Sequence, residues 1–255
     1  MSGRALLLDA GNTRVKWGIW SGERLTRTGS VRHDLLKESG FGLLTTRLPA
    51  SVEEVLVSNV AGAAFGSRLA GVLGMHCGTD VRFAHAERSG FGVRNGYRQA
   101  RQLGVDRWVA MVGARAEAKG ALCIVDAGTA LTIDVLDRDG NHLGGQIIPG
   151  LDLMAQSLAR DTSDIGRVPA ASRDAAQGMG MFSKSTRRAV STGSVNAVCG
   201  AIERAVRTMR SGGYRPTVIL TGGDASRILK QLDGKVLHRP HLVLQGLARM
   251  LRTHS

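Results

Sequence analysis

The chain has 255 residues, 43% of them hydrophobic and 22% charged, and 34 Lys and Arg against 21 Asp and Glu leave a net charge of +13. That length holds one or two domains with a core that needs no disulfide staples, and the balance excludes collagen, fibrous repeats and extensive disorder. No stretch approaches the ~18 apolar residues of a spanning helix, and Met1 to Asp9 carries one basic residue and too short an apolar run for a signal peptide, so neither a membrane span nor a secretory leader is expected.

In chain order, Leu7-Leu8-Asp9-Ala10 predicts a first strand that turns at Gly11-Asn12-Thr13 into a second, Val15 to Trp20, ended by Ser21-Gly22-Glu23. Val55 to Val60 is a third β-rich run, followed by small and helix-forming residues. After Asp106, the residues Trp108, Val112, Arg115 and Ala116 fall on one helical face. Gly120 is the hinge region. The opening pattern then returns. Ile124-Val125-Asp126-Ala127-Gly128-Thr129-Ala130 leads into Leu131 to Leu136 and the turn Asp137 to Gly140. Gly144-Gly145-Gln146-Ile147-Ile148-Pro149-Gly150 reads as a Gly-rich turn, one that lines a pocket or merely reverses the chain. Arg160 to Met181, with weak periodicity, predicts a long surface loop with a short helix. Val195, Val198, Ile202, Val206 and Met209 predict an amphipathic helix, stopped by Gly212-Gly213 and Pro216. Thr217 to Thr221 is a strand, His238 and His241 flank Pro240 in a loop, and Leu242 to Leu251 is a closing helix. The 117-residue offset between Asp9 and Asp126 splits the chain nearly in two. A duplicated domain follows, residues 1–119 and 120–255, rather than a solenoid of short repeats.

The charge is diffuse. Six Lys and 28 Arg are scattered along the length, with Arg187-Arg188 the tightest pair, and aromatic content is 4%. That distribution weighs against a nucleic-acid site while leaving one open, and it attracts small anions such as nucleotides. Cys77, Cys123 and Cys199 are odd in number and far apart. They argue against disulfides and zinc, and for packed thiols in a reducing cytoplasm.

Four constellations could carry chemistry. At Asp9 to Lys16, Gly11 permits a tight turn, the amides with Asn12, Thr13 and Lys16 can donate to phosphates, and Asp9 can hold Mg2+ through its waters. The bland alternative is an ordinary hairpin. Asp126-Ala127-Gly128-Thr129 repeats the pattern, and two copies in equivalent places carry more weight than one. Thr221-Gly222-Gly223-Asp224 ends a strand with glycines that let backbone lie flat against a base or ribose, or simply turn into a helix. In Gly104-Val105-Asp106-Arg107, Asp106 stands where a helix begins. It reads either as the N-cap, which position alone favours, or as a general base beside an anion-binding Arg107.

Paired Asp-x-Gly turns with a late Thr-Gly-Gly resemble the phosphate-1, phosphate-2 and adenosine elements of the actin, sugar kinase and Hsp70 superfamily. Within it the chain resembles the type III pantothenate kinases from Leu6 to about Leu251. The family's D-x-G-N-T-x-x-K stands at Asp9 to Lys16, G-x-D-R at Gly104 to Arg107, D-x-G-T-A at Asp126 to Ala130, and G-G-x-I-x-P-G at Gly144 to Gly150. Lys184-Ser185-Thr186 precedes a small-residue helix, as in the family. The resemblance implies an α/β protein of two tandem ribonuclease-H-like (actin-like ATPase) domains with a nucleotide cleft between them. It implies ATP-dependent phosphorylation of pantothenate to 4′-phosphopantothenate, the first step of coenzyme A biosynthesis. Asp106 would be the catalytic base, and Tyr97, Gly104, Arg107 and Thr186 would bind pantothenate, with Arg107 facing its carboxylate. Asp9, Gly11, Asn12, Thr13 and Lys16 would hold the ATP phosphates and Mg2+, and Thr129, Gly222 and Gly223 would contact ATP. Asp126 would bind K+ or NH4+. A cytoplasmic homodimer with the acceptor site near its interface is implied, with no membrane partner. Some relatives are known as Bvg accessory factors, which gives the alternative of a non-catalytic nucleotide-binding transcriptional accessory factor. The intact Asp106, Arg107 and Thr186 argue against it. A sugar or acetate kinase generally has larger insertions than 255 residues allow.

Overall fold

The run Ala5–Ala10 forms β1 and is buried at every residue, because it is the middle strand of a five-stranded sheet with packing on both faces. The computed structural model describes residues 4–162, 165 and 182–251. After β1 come β2 (Arg14–Trp20) and β3 (Leu25–Arg32), then the short helices α1 (His33–Ser39) and α2 (Gly42–Thr45). β4 (Glu54–Asn59), α3 (Ala63–Cys77) and β5 (Val81–Phe83) complete the sheet, in the order β3-β2-β1-β4-β5. The hairpin is antiparallel, and β4 and β5 run parallel to β1. Leu6, Leu8, Val15, Trp17, Val55 and Val57 pack on Leu69, Leu73 and Cys77 of α3. The helix ends on the left-handed Gly78, whose amide reaches back to the Gly74 carbonyl. A two-stranded hairpin, β6 (Ser89–Gly90) and β7 (Val93–Arg94), leads to α4 (Val105–Glu117).

The second unit repeats the plan. β8 (Leu122–Ala127), β9 (Ala130–Leu136) and β10 (His142–Pro149) are followed by α5 (Leu151–Asp161) and α6 (Thr186–Ser211). β11 (Thr217–Thr221), α7 (Ala225–Ile228) and β12 (Val236–His238) close a sheet of order β10-β9-β8-β11-β12. Strand for strand this is the first sheet again, so the sequence echo is a structural duplication. Val198, Ile202, Val206 and Met209 of α6 lie on Cys123, Val125, Leu131, Ile133, Val218 and Leu220. All three cysteines are free and buried.

Several readings change. The Gly-rich stretch from Gly144 is not a turn but the edge strand β10. Its register shifts between His142 and Gly144, a bulge that Gly144 accommodates with φ 130°. Pro149 ends that strand, where an edge tolerates a missing amide. α4 has no single apolar face, since Arg107 to Ala114 are all buried. The helical part of Arg160 to Met181 reaches Asp161 in α5, and the rest of that predicted loop, Thr162 and Ile165 apart, lies outside the described residues. His238 ends a strand rather than sitting in a loop. The units divide at Glu117 and Ala118, but the chain from His241 onward, including α8 (Leu242–Leu251), belongs to the first unit and not the second. There α8 packs along α4, with the places for a Cβ at Gly113 and Gly246 taken by the opposing backbone. Among the described residues no helix is long and apolar enough to cross a membrane.

Candidate active site

In the first unit, Asp9 near the end of β1 is 6% exposed and pairs across the hairpin with Lys16, whose Nζ lies 3.9 Å from its Oδ2. The Gly11 amide donates to the Arg14 carbonyl at 3.1 Å, which closes the turn and leaves Asn12 and Thr13 exposed. Two outside amides brace it, Val60 donating to the Ala10 carbonyl and His33 to the Thr13 carbonyl, each at 2.9 Å. A braced turn that exposes an amide and a hydroxyl side chain, with an ammonium close behind, suits an oxyanion ligand.

The start of α4 gathers four of the predicted residues. Trp108 donates to the Gly104 carbonyl at 3.0 Å, so the first helical bond begins at Gly104. Asp106 is therefore inside the first turn, not the N-cap. Its Oδ1 accepts the Arg107 amide at 2.8 Å, and the positive end of the helix favours a carboxylate there. Gly104 makes room for it, since a Cβ at that position would lie 2.7 Å from Asp106 Oδ1. Arg107 is buried, donates from Nη1 to the Tyr97 hydroxyl at 2.9 Å, and stands 5.7 Å from the centre of the Tyr97 ring. A guanidinium so oriented is suited to a carboxylate partner.

Asn95, which the sequence reading missed, builds the loop beneath. It is 3% exposed, its Nδ2 donates to the Glu87 and Ala100 carbonyls at 3.1 Å each, and its Oδ1 accepts the Tyr97 amide at 3.0 Å. The one signal was Asn95-Gly96, which reads as an ordinary turn.

In the second unit Asp126 pairs with Thr132 on β9 and Thr221 on β11. Gly128 donates to the Ala130 carbonyl at 3.1 Å, the counterpart of the Gly11 turn. Two segments clasp the turn 126–129. Gly150 donates to the Thr129 carbonyl and Asp224 to the Ala127 carbonyl, both at 2.9 Å. A Cβ at Gly150 would stand 2.2 Å from the Gly128 oxygen, and one at Gly222, where φ is 99°, would stand 2.3 Å from the Ala127 oxygen and 2.5 Å from Asp126 Oδ1. A Cβ at Gly223 would meet nothing within 4 Å among the described residues, which leaves a flat backbone open to a ligand. Thr129 is exposed on the turn. Thr186 opens α6 and lines a cavity of about 570 Å³ with Pro149, Met154, Leu158 and Val190. Arg227, also unforeseen, joins Asp152 and Asp224 through Nη1 at 2.6 and 3.0 Å.

Two ribonuclease-H-like units, each with an Asp-x-Gly turn in its first hairpin, define the actin-like ATPase class. Solved structures of that fold agree. The apo psk41 ParM protein aligns over 97% of this chain and 96% of its own, with 12% identity and a TM-score of 0.51. A Campylobacter jejuni protein assigned to the Baf family of transcriptional activators aligns over 98% of both chains, with 19% identity and a TM-score of 0.59. At such identities the likeness speaks of fold alone. Sequence goes further. Residues 5–208 match the type III pantothenate kinase family, and the type III pantothenate kinase of Chromobacterium violaceum is 38% identical over 250 residues, 97% of this chain and 99% of that one. The chain belongs to the type III pantothenate kinase family.

Proposed function

We propose that the chain transfers the γ-phosphoryl group of ATP to the primary hydroxyl of pantothenate, giving 4′-phosphopantothenate and ADP, the opening step of coenzyme A biosynthesis. The observation that carries this reading is the start of α4. A carboxylate given space by Gly104 adjoins a buried guanidinium oriented by Tyr97, as an acceptor with a hydroxyl at one end and a carboxylate at the other requires.

In this reading Asp106 takes the hydroxyl proton as the oxygen attacks phosphorus and the bond to the ADP oxygen breaks. Arg107 binds the pantothenate carboxylate, and Tyr97 and Thr186 complete the acceptor site. Asn12, Thr13 and Lys16, on the turn closed by Gly11, hold the phosphates. Mg2+ would be held by Asp9 together with phosphate oxygens and water, and it supplies neutralisation of the phosphate charge. The buried carboxylate of Asp9 and its Lys16 neighbour fit that use. Thr129 and the flat backbone of Gly222-Gly223 contact ATP, and Asp126 holds K+ or NH4+. The enzyme works in the cytoplasm as a homodimer with the acceptor site near the interface.

The test is incubation of the purified protein with ATP, Mg2+ and pantothenate in K+, NH4+ or Na+, with the product read by mass. Product in K+ or NH4+ but not in Na+ is expected. A folded protein that binds ATP and forms no 4′-phosphopantothenate under any cation overturns the reading.

A further inference from the structure

One ion-pair cluster in the second unit has no part in the reaction as set out above. Arg227 lies on α7 with its side chain 19% exposed, and its Nη1 contacts Asp152 Oδ1 and Asp224 Oδ1 at 2.6 and 3.0 Å. Asp152 is in the first turn of α5, two residues after Gly150, and Asp224 follows Gly222-Gly223. These are the two segments that clasp the turn 126–129, Gly150 through the Thr129 carbonyl and Asp224 through the Ala127 carbonyl. Both approach so closely that neither Gly150 nor Gly222 has space for a Cβ. One guanidinium therefore fastens together two arms distant in sequence, reaching Asp152 across 75 residues and Asp224 across three.

From this geometry we propose that Arg227 is a positioning residue for ATP, holding both arms of the clasp on the Asp126–Thr129 turn and keeping two carboxylates from facing the polyphosphate unpaired. The proposal rests on the reading of that turn and of Gly222-Gly223 as the nucleotide side of the site. Two effects add. Mechanically, release of Asp224 frees the Gly222-Gly223 backbone from its place against Asp126. Electrostatically, loss of the guanidinium leaves two carboxylates uncompensated near an anionic ligand, and repulsion of that kind is screened by salt. Burial works against the Arg227 charge, but the hydrogen bonds to Asp152 and Asp224 outweigh it and hold the group above its ordinary pKa.

The experiment compares wild type, Arg227→Gln and Arg227→Lys by calorimetric titration with ATP and Mg2+ in the absence of pantothenate, and by steady-state kinetics with both substrates. For Arg227→Gln the Kd and KM for ATP should rise roughly tenfold, the usual scale for losing a hydrogen-bonded charge pair. The pantothenate KM and kcat should stay within about twofold. Arg227→Lys, which restores the charge, should recover most of the loss. The ratio of variant to wild-type Kd should shrink between 0.05 and 0.5 M KCl, because the added repulsion is screened. An unchanged ATP Kd in a folded Arg227→Gln, or a defect that Lys fails to relieve and salt leaves alone, overturns the proposal. Should Arg227→Gln fail to fold, Asp152→Asn cuts one arm at a half-exposed position but also removes a negative charge, so its ATP Kd should rise at 0.5 M KCl, where the charge effect is screened and the mechanical one remains, and no rise there overturns the proposal. The titration separates this claim from the functional reading. Wild type that binds ATP yet leaves pantothenate untouched defeats that reading alone, and wild type that does not bind ATP defeats both.

Discussion

At Gly104 the chain omits a side chain so that Asp106 can set its carboxylate at the mouth of α4. The added Cβ of Gly104→Ala would meet Asp106 Oδ1 at 2.7 Å, so the carboxylate must swing away. The position does not have positive φ, so the backbone accepts alanine, and because alanine caps a helix less well than glycine the fold should survive at a cost of about 1 kcal/mol. The variant should lose roughly tenfold or more in kcat, the order expected for a displaced general base, with the ATP KM and circular dichroism unchanged. A Gly104→Ala enzyme of full kcat would mean that Asp106 is not where the proton goes. At this scale the sequence was most informative. Gly104-Val105-Asp106-Arg107 marks a helix start, and position alone favours Asp106 as its cap over a base; the choice of a base comes with the resemblance, and the structure sets Asp106 inside the first turn. Asn95 was not legible, since its work is done by burial and by bonds to the backbone of Glu87, Tyr97 and Ala100. Nothing in the string Asn95-Gly96 distinguishes that from a turn. Arg227 was hidden for a similar reason, as its partner Asp152 is distant in sequence.

Among the elements, the pairing of α4 with α8 decides how firmly the helix that carries Asp106 is seated. Gly246 lies against Val109, and a Cβ there would be 2.0 Å from the Val109 carbonyl oxygen. Backbone cannot rotate aside, so Gly246→Ala should force the helices apart. Overpacking of this sort costs about 3 kcal/mol, equivalent for a chain of this size to roughly 10 °C in Tm, and a scanning melt would measure it. No change in Tm would show that the crossing is looser than the structure has it. The helix placed by Trp108, Val112, Arg115 and Ala116 is α4, but that face does not mark its boundary with solvent, because every residue from Arg107 to Ala114 is buried. The stretch Gly144 to Gly150 reads as a turn in sequence because glycine marks both turns and bulges, and only the partner strand β9 distinguishes them. By contrast α6 was legible, because its Val198, Ile202, Val206 and Met209 side cover a sheet while the other side meets solvent.

For the whole molecule, the echo of Asp9-Ala10-Gly11 in Asp126-Ala127-Gly128 was enough to reveal the duplication, and both sheets share one strand order. The allegiance of α8 was not legible, since a closing helix carries no mark of the unit it will pack on. Global stability carries a pH signature as well. Burial pushes the Cys123 thiol up to about 12, assisted by Asp134, and Cys199 up to about 11, assisted by Glu203, from 9.0 for a free thiol. Between pH 9 and 12 the folded chain keeps protons that the unfolded chain releases, so this contribution to stability is full below pH 9 and is lost as pH rises through that window. Melts should therefore show Tm falling above pH 9, less steeply in a Cys123→Ala/Cys199→Ala variant. Equal slopes in the two proteins would contradict the buried-thiol assignment.

Asp106 carries the proposed transfer, and Asp106→Asn tests that role most directly. An asparagine keeps an oxygen to accept the Arg107 amide now held at 2.8 Å, so the helix start survives while the base is removed. Steady-state phosphorylation of pantothenate, with ATP binding followed by titration and folding by Tm, should show kcat falling by about 10²- to 10⁴-fold with ATP Kd and Tm unchanged. A variant that turns over at the wild-type rate, or one that loses its fold together with its activity, would contradict the role assigned to this carboxylate.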